Sequence, residues 1–428
     1  MLTPNTVYPL LLGWVQALGV TPSAVTAQAL AARLTALLCG QSLAPASLMR
    51  MLPSPTIVRA RARYARVART WHGPWLTSVW LTPLLVRAVL ALVRPAGTPV
   101  LVLDTVRCGR WELLTVGLLW HRRVVLVGWA VLPYPWPKGR FTPTVIALLR
   151  QVGAAWPDEA AAPHLLADRG FPSRPLFQTL HDLHWGYTVR LSAGCRVSLH
   201  GAAIRVGDLY GAVPERWRRE PVHYGAAGRG PLLQLLVGQG LVVLPHHQRD
   251  AGSLRARQYR GARRRHALRQ KHPQRDAERS ATLDRWVALL STDQTVLAAL
   301  RHYRLRWAIE GSYRDAQSGW DGRHGWDLEP TLSQQTTGEV VERIAGLWAV
   351  GLLVQSWVGD QLSQPTAPVR VQQVVASWTV HGRLSVFARG RLAFLDRSGG
   401  LTDWLGQTLA AGAVRLAATS VQPVSTAA

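Results

Sequence analysis

The sequence predicts an α/β chain: a mixed sheet flanked by helices, interrupted by a β-rich insertion, with helical N- and C-terminal regions. Three observations predict it. Apolar runs of strand length alternate with segments of helical spacing across residues 96–194. A stretch rich in glycine and arginine then separates this part from one further strand and a long helix. Both ends of the chain read as helices broken by proline or glycine.

Composition narrows the functional classes before any motif is read. Of 428 residues 48% are hydrophobic, 17% are charged and 19 are Trp, so the chain folds into packed domains and is not a disordered basic tail. Lys+Arg total 49 against 24 Asp+Glu, a formal charge of +25, and such a field attracts polyanions. Lys138 and Lys271 are the only lysines and Asn5 the only asparagine, which suggests a GC-rich coding bias. That bias explains Arg in place of Lys but not the twofold excess of bases over acids. Nucleic acid is therefore the first partner to expect, ahead of an anionic membrane surface. Cys39, Cys108 and Cys195 lack the spacing of a disulfide framework or a zinc site. Tyr8 to Val20 is apolar, but no basic residue precedes Arg33, so no secretory signal is expected. Ile344 to Val354 is too short to span a bilayer. The expectation is a cytoplasmic, nucleoid-associated protein.

In chain order, residues 1–95 read as short helices with breaks at Pro22, Pro45 and Pro53. One carries Arg59, Arg61, Arg63, Arg66 and Arg69, the pattern either of a DNA-contacting helix or of a solvated face. Residues 96–194 open on Pro99-Val-Leu-Val-Leu-Asp104, a buried strand with an acid at its exit. Leu113 to Trp120 and Val124 to Leu132 extend it into a meander, with the turn at His121-Arg-Arg123. Thr142 to Val152 is helical, and His164-Leu-Leu-Ala-Asp168 is a second short strand ending in an acid. Ser173 to His184 is helical and Gly186 to Leu191 a strand. This order is that of an RNase H-like fold. Residues 195–285 form the basic insertion, with β-like pieces at Val197 to Val206 and Leu232 to Val243 and an arginine-rich run from Arg255 to Arg279. Residues 286–340 resume the sheet domain, with Arg285 to Leu290 as a strand and Gln294 to Ser318 as one long helix. Residues 341–428 are mainly helical.

The acids carry the chemistry. Cleavage and joining of phosphodiesters need an activated water or 3′-hydroxyl and neutralisation of charge on attacking and leaving oxygens, which paired divalent cations on carboxylates supply. Asp104 ends an apolar run, where a charge is costly unless it is exposed or binds something. Asp168 has the same placement, although Asp168-Arg-Gly170 also reads as a simple turn. Tyr303, Arg306, Glu310, Arg314 and Gln317 recur every three or four residues and line one face of the expected helix. A solvated helix face gives the same stripe, and the two strand-borne acids favour a site.

The string Tyr303-Arg-Leu-Arg306-Trp-Ala-Ile-Glu310 resembles the Tyr-x2-Arg-x3-Glu-x6-Lys signature of the IS-four group of bacterial insertion-sequence DDE transposases. Leu-Asp104-Thr and Ala-Asp168-Arg-Gly-Phe171 resemble that group's first two catalytic acids, and the insertion lies where the group has one. The resemblance covers about Val100 to Gln317. It implies a DNA transposase in which Asp104, Asp168 and Glu310 hold two Mg²⁺ (or Mn²⁺) ions, nick transposon ends and join the freed 3′-hydroxyl to target DNA, commonly through a hairpin. The implied partners are double-stranded inverted-repeat ends, target DNA and a second copy in a synaptic homodimer. Tyr303 and Arg306 would contact end phosphates. The signature's final Lys is Gln317 here, and Arg314, one turn earlier, is the cation on that face. The group also supports a flipped base with an aromatic residue, for which Trp217, Tyr224 and Tyr259 are candidates, while the run Arg260, Arg263, Arg264, Arg265, Arg269 and Lys271 suits phosphate backbone. Two other readings fit the same residues: a DDE nuclease without strand transfer, and a catalytically decayed DNA-binding protein.

Overall fold

The computed structural model describes residues 3–19, 23–53, 59–71, 73–95, 97–210, 217–225, 231–239, 286–317, 326, 336–365, 367–377, 384–396 and 401–419. They form a mixed α/β structure with ten mostly antiparallel strands. The chain divides into two compact units, one of Met1–His164 with Arg306–Ala428 and one of Leu165–Leu305.

The first unit opens with α1 (Pro4–Leu18), α2 (Ala24–Gly40), α3 (Pro45–Met51), α4 (Ala60–Thr70) and α5 (Ser78–Val93). Their starts are written locally. The side chains of Thr3, Ser23 and Thr77 accept from N–H groups of the first turns of α1, α2 and α5, and Pro4 and Pro45 occupy the helix entry where no N–H is needed. Most of α4 is exposed, including Arg61, Arg66 and Arg69, as is Arg59 at its N-cap.

The meander follows as β1 (Val100–Cys108), β2 (Trp111–Trp120) and β3 (Arg123–Pro133), paired antiparallel in the order β3-β2-β1. His121 and Arg122 both adopt positive φ, 45° and 62°, the two-residue turn that matches the twist of a hairpin. With α6 (Phe141–Ala154) and α5 packed on β3, β2 and β3 are buried almost throughout. Strands covered on both faces read as continuous apolar runs, as these two do.

The second unit begins within β4 (His164–Ala167) and continues through α7 (Arg174–Asp182), β5 (Gly186–Arg190), β6 (Arg196–Leu199), β7 (Ala202–Arg205), β8 (Trp217–Tyr224), β9 (Leu232–Gln239), β10 (Trp286–Ser291) and α8 (Val296–Leu305). Its strands lie in the order β4-β5-β10-β9-β8-β6-β7. The expected β piece from Val197 to Val206 is a hairpin, because His200 and Gly201 take positive φ and reverse the chain. Tyr303 from α8 packs with Leu236, Val287, Leu289, Ala299 and Leu300 in this unit's core.

The chain then returns to the first unit with α9 (Trp307–Gln317), α10 (Gly338–Gln361), α11 (Val369–Ser377), α12 (Val386–Leu395) and α13 (Thr402–Thr419). Every residue from Ile344 to Asp360 in α10 is buried, the mark of a helix surrounded on all sides. It packs against α2, α5, α12, α13 and β3 and forms the centre of this unit. Backbones of α10 and α12 touch at two glycines: a Cβ on Gly359 would overlap the Val386 carbonyl and one on Gly390 the Gln355 carbonyl. Among the described residues no helix is long and apolar enough to cross a membrane.

Candidate active site

Asp104 sits in the middle of β1, opposite Thr115 of β2. The expected strand exit at this acid is corrected: β1 continues through Thr105, Val106, Arg107 and Cys108. Pairing with β2 persists to Cys108 opposite Trp111, so the end of the apolar run marks where β1 becomes partly exposed, not where it stops. The Asp104 side chain is 18% exposed. Its Oδ1 accepts from the Thr105 N–H at 2.8 Å. Behind it, the Thr115 hydroxyl donates to the Asp104 carbonyl at 3.2 Å and shares a short hydrogen bond with the Tyr313 hydroxyl. Burial, followed by the Asp104 charge, pushes the Tyr313 phenol well above its ordinary range, while the Thr115 bond opposes the rise.

The predicted single helix from Gln294 to Ser318 is broken at Arg306, which separates α8 from α9. The break is tight, with the Ile309 N–H bonded to the Arg306 carbonyl at 3.2 Å. Side-chain periodicity runs through it unchanged, and what holds Arg306 is tertiary. Its guanidinium is 4% exposed, with Nη1 3.4 Å from Asp104 Oδ2 and Nη2 3.2 Å from Glu310 Oε1. The guanidinium carbon lies 4.6 Å from the centre of the Trp307 ring. Glu310 is in the first turn of α9, where the helix dipole favours a carboxylate, and is 41% exposed.

Three residues within about one turn fix α9 on the meander. Ser312 Oγ accepts from the Val124 N–H at 2.6 Å and donates to the Ala308 carbonyl at 2.9 Å. Tyr313 bonds Thr115 and stacks on Trp348. The Asp315 carboxylate accepts from Arg123 Nε and from Ser385 Oγ, each at 2.6 Å. Arg314 and Gln317 belong to α9, but their side chains lie outside the described residues.

In the second unit Asp168 directly follows β4, and the Phe171 N–H donates to its carbonyl at 3.2 Å to close the Asp168-Arg-Gly-Phe turn. The Tyr303 hydroxyl donates to Asp168 Oδ1 at 3.3 Å, and Arg190 Nη1 donates to that hydroxyl at 3.4 Å. Tyr303 itself is 0% exposed. The structure thus binds Tyr303 to one predicted acid and Arg306 to the other two, and it buries both side chains that the family signature would aim at phosphates.

Nearby, Asp293 accepts from Thr188 Oγ1 at 2.9 Å and Ser291 Oγ at 2.8 Å, and His302 Nδ1 bonds the same carboxylate at 2.9 Å. This knot joins β5, β10 and α8. Ser291, Asp293 and His302 are close in sequence, whereas Thr188, which completes the knot, is 105 residues from Asp293.

Of the residues expected to hold DNA, Arg260, Arg263, Arg264, Arg265, Arg269 and Lys271 lie outside the described residues, as do Tyr259 and the Trp217 side chain. Tyr224 is a packing residue. Its hydroxyl donates to the Pro172 carbonyl at 2.9 Å and its ring lies 5.2 Å from that of Phe177.

Neither a protein-family model nor a curated protein sequence matches this chain.

Proposed function

We propose that this chain is a DDE-type DNA transposase with an RNase H-like catalytic core, which nicks transposon ends and transfers the 3′-hydroxyl to target DNA. The observation that carries the reading is the meeting of Asp104 and Glu310 on one guanidinium, although Arg306 and Asp104 are 202 residues apart in sequence. Two carboxylates on one cation are a donor set of hard oxygens, which suits Mg²⁺ or Mn²⁺. In this reading Asp104, Asp168 and Glu310 hold the two ions, and the bound ions supply an activated nucleophile and neutralise charge on the attacking and leaving oxygens.

The protein's own groups have distinct parts in that chemistry. Ser312, Tyr313 and Asp315 hold α9, and therefore Glu310, against β2 and β3. Tyr303 and Arg190 orient the Asp168 carboxylate. Arg306 keeps Asp104 and Glu310 together until cations take over its charge. The DNA partners are transposon ends and target duplex, engaged by a synaptic homodimer at the nucleoid, and the excess of arginine supplies phosphate contacts.

The test uses full-length protein with a duplex bearing a transposon end, located from inverted repeats beside the gene. Asp104→Asn, Asp168→Asn and Glu310→Gln are each expected to abolish Mg²⁺-dependent nicking while duplex binding persists. Nicking at the wild-type level by any one of them removes that residue from the set. A pre-nicked end separates transposase from nuclease, since only the former joins its 3′-hydroxyl to a second duplex. Gln317 in place of the signature's Lys favours one second reading, a DNA-binding protein that has lost the chemistry. Tight duplex binding by the wild type, with no cleavage in either metal, supports that reading instead.

A further inference from the structure

Between β3 and α6 the chain runs Pro133-Tyr-Pro-Trp-Pro-Lys-Gly-Arg140, and all eight residues are exposed. Pro133 is the last residue of β3 and still pairs with Trp111, and Pro135 and Pro137 then deny the segment a further ladder or a helix. Tyr134 and Trp136 are each 39% exposed, among the few large apolar side chains left in solvent by the described residues.

Each ring is backed by a neighbour. The Arg107 guanidinium lies 3.9 Å from the centre of the Tyr134 ring, a cation–π contact that fixes ring and charge together. Trp136 stacks on Phe141 with centroids 4.1 Å apart and planes 17° from parallel, and its indole N–H donates to the buried Glu112 carboxylate at 2.5 Å. The Tyr134 N–H donates to the Arg110 carbonyl at 2.8 Å, tying the segment to the β1–β2 turn. Lys138 and Arg140 stand exposed in the same segment. The result is two presented rings, held from behind, among three exposed cations.

We infer that this surface binds an unpaired nucleic-acid strand, with bases stacking on Tyr134 and Trp136 and phosphates on Arg107, Lys138 and Arg140. The chemistry separates a single strand from a duplex. Base faces in a duplex are already covered by their neighbours, whereas those of an unpaired strand are open to aromatic side chains. Every base has a π-face, so the surface binds without sequence preference. The cations supply the matching charge for a backbone with one phosphate per nucleotide. This inference goes beyond the proposed chemistry and needs none of its metal ligands. Arg107 is three residues past Asp104 on β1 and, by strand alternation, points to the opposite face.

The experiment measures fluorescence anisotropy of labelled oligothymidylate and oligouridylate, with a mixed-sequence duplex as control, on the full chain in EDTA. Tyr134→Ala and Trp136→Ala are each expected to weaken single-strand binding about 5- to 150-fold, with duplex binding changed by less than about twofold. Tyr134→Phe and Trp136→Phe keep the stacking face and are expected to bind as wild type. Arg107→Gln is expected to lower the dependence of log K on log salt by about one ion. Thermal melting of each variant checks its fold; if the alanine variants melt early, Arg107→Gln and the phenylalanine pair decide. Alanine variants that bind single strands as wild type overturn the inference. So does equal loss on duplex and single strand, or a change of sedimentation without a change of single-strand affinity, which would make the patch a protein interface. Failure of nicking by the wild type leaves this result untouched, and failure here leaves the metal site untouched.

Discussion

Replacing Arg306 with methionine removes a charge that bridges Asp104 and Glu310 and keeps most of the apolar bulk packed against Trp307. Hydrogen bonds to charged groups contribute about 1.5–3 kcal/mol each. Both distances here, 3.4 and 3.2 Å, exceed the roughly 2.7–2.9 Å of the tightest pairs. The Glu310 side chain is 41% exposed, which reduces its share to that of a surface pair, below about 1 kcal/mol. Asp104 is more enclosed and carries the larger share, and the two carboxylates left without their cation repel. The sum is about 2 kcal/mol, or roughly 4 °C in Tm for a unit of this size. Scanning fluorimetry in EDTA and in millimolar Mg²⁺ measures it. Arg306→Met is expected to melt lower than wild type in EDTA and to regain more on adding Mg²⁺, because the cation replaces the missing charge. An unchanged Tm in EDTA refutes the structural half of this reasoning. Equal Mg²⁺ responses in the two proteins refute the other half, that cation and guanidinium compete for one pair of acids.

Two further predictions concern the first unit alone. Gly359→Ala forces a methyl into the Val386 carbonyl at the α10–α12 crossing, where neither backbone can yield; a loss of about 3 kcal/mol is expected, and a denaturant midpoint equal to wild type would show that the helices do not meet there. Burial pushes the Cys39 thiol up to about 12, so the folded state keeps its proton where an unfolded thiol has lost it. Stability from this group is therefore complete below the ordinary thiol range and falls as pH rises from there towards 12. Mass-mapped alkylation in mild alkali should modify the half-buried Cys39 more slowly in native protein than in denaturant, and equal rates in the two would contradict the raised pKa.

Elements whose covering is uniform were legible in the sequence. β2 and β3, buried on both faces, read as plain apolar runs, and the turn at His121 and Arg122 followed from their separation. Asp104 misled because polarity along a strand reports its surroundings, whereas its length is set by backbone pairing, which continues to Cys108. The break at Arg306 was invisible for a related reason. Spacings of three and four survive a single turn residue, and the contacts that hold Arg306 come from β1 and α9. Of the exposed aromatics, Tyr134 and Trp136 carry a readable signal: prolines on both sides disfavour a central strand or a helix there and so favour a surface segment.

The placement of Tyr303 and Arg306 sharpens what the signature residues do. A buried guanidinium whose two terminal nitrogens each face a carboxylate is poorly placed to grip a phosphate at the same time. In the proposed reading the two roles alternate. In that reading Arg306 neutralises Asp104 and Glu310 before cations bind, and cations held by those acids would repel the guanidinium and free it for an anion such as a DNA phosphate. Tyr303 has no such freedom, because its ring is packed in the core of the second unit and its hydroxyl bonds Asp168. The proposed reading therefore assigns the signature's tyrosine to carboxylate orientation and its arginine to an exchange between acid and phosphate. The two separate experimentally. Tyr303→Phe should lower nicking without altering the salt dependence of binding to transposon ends, whereas Arg306→Met should lower that dependence only when Mg²⁺ is present.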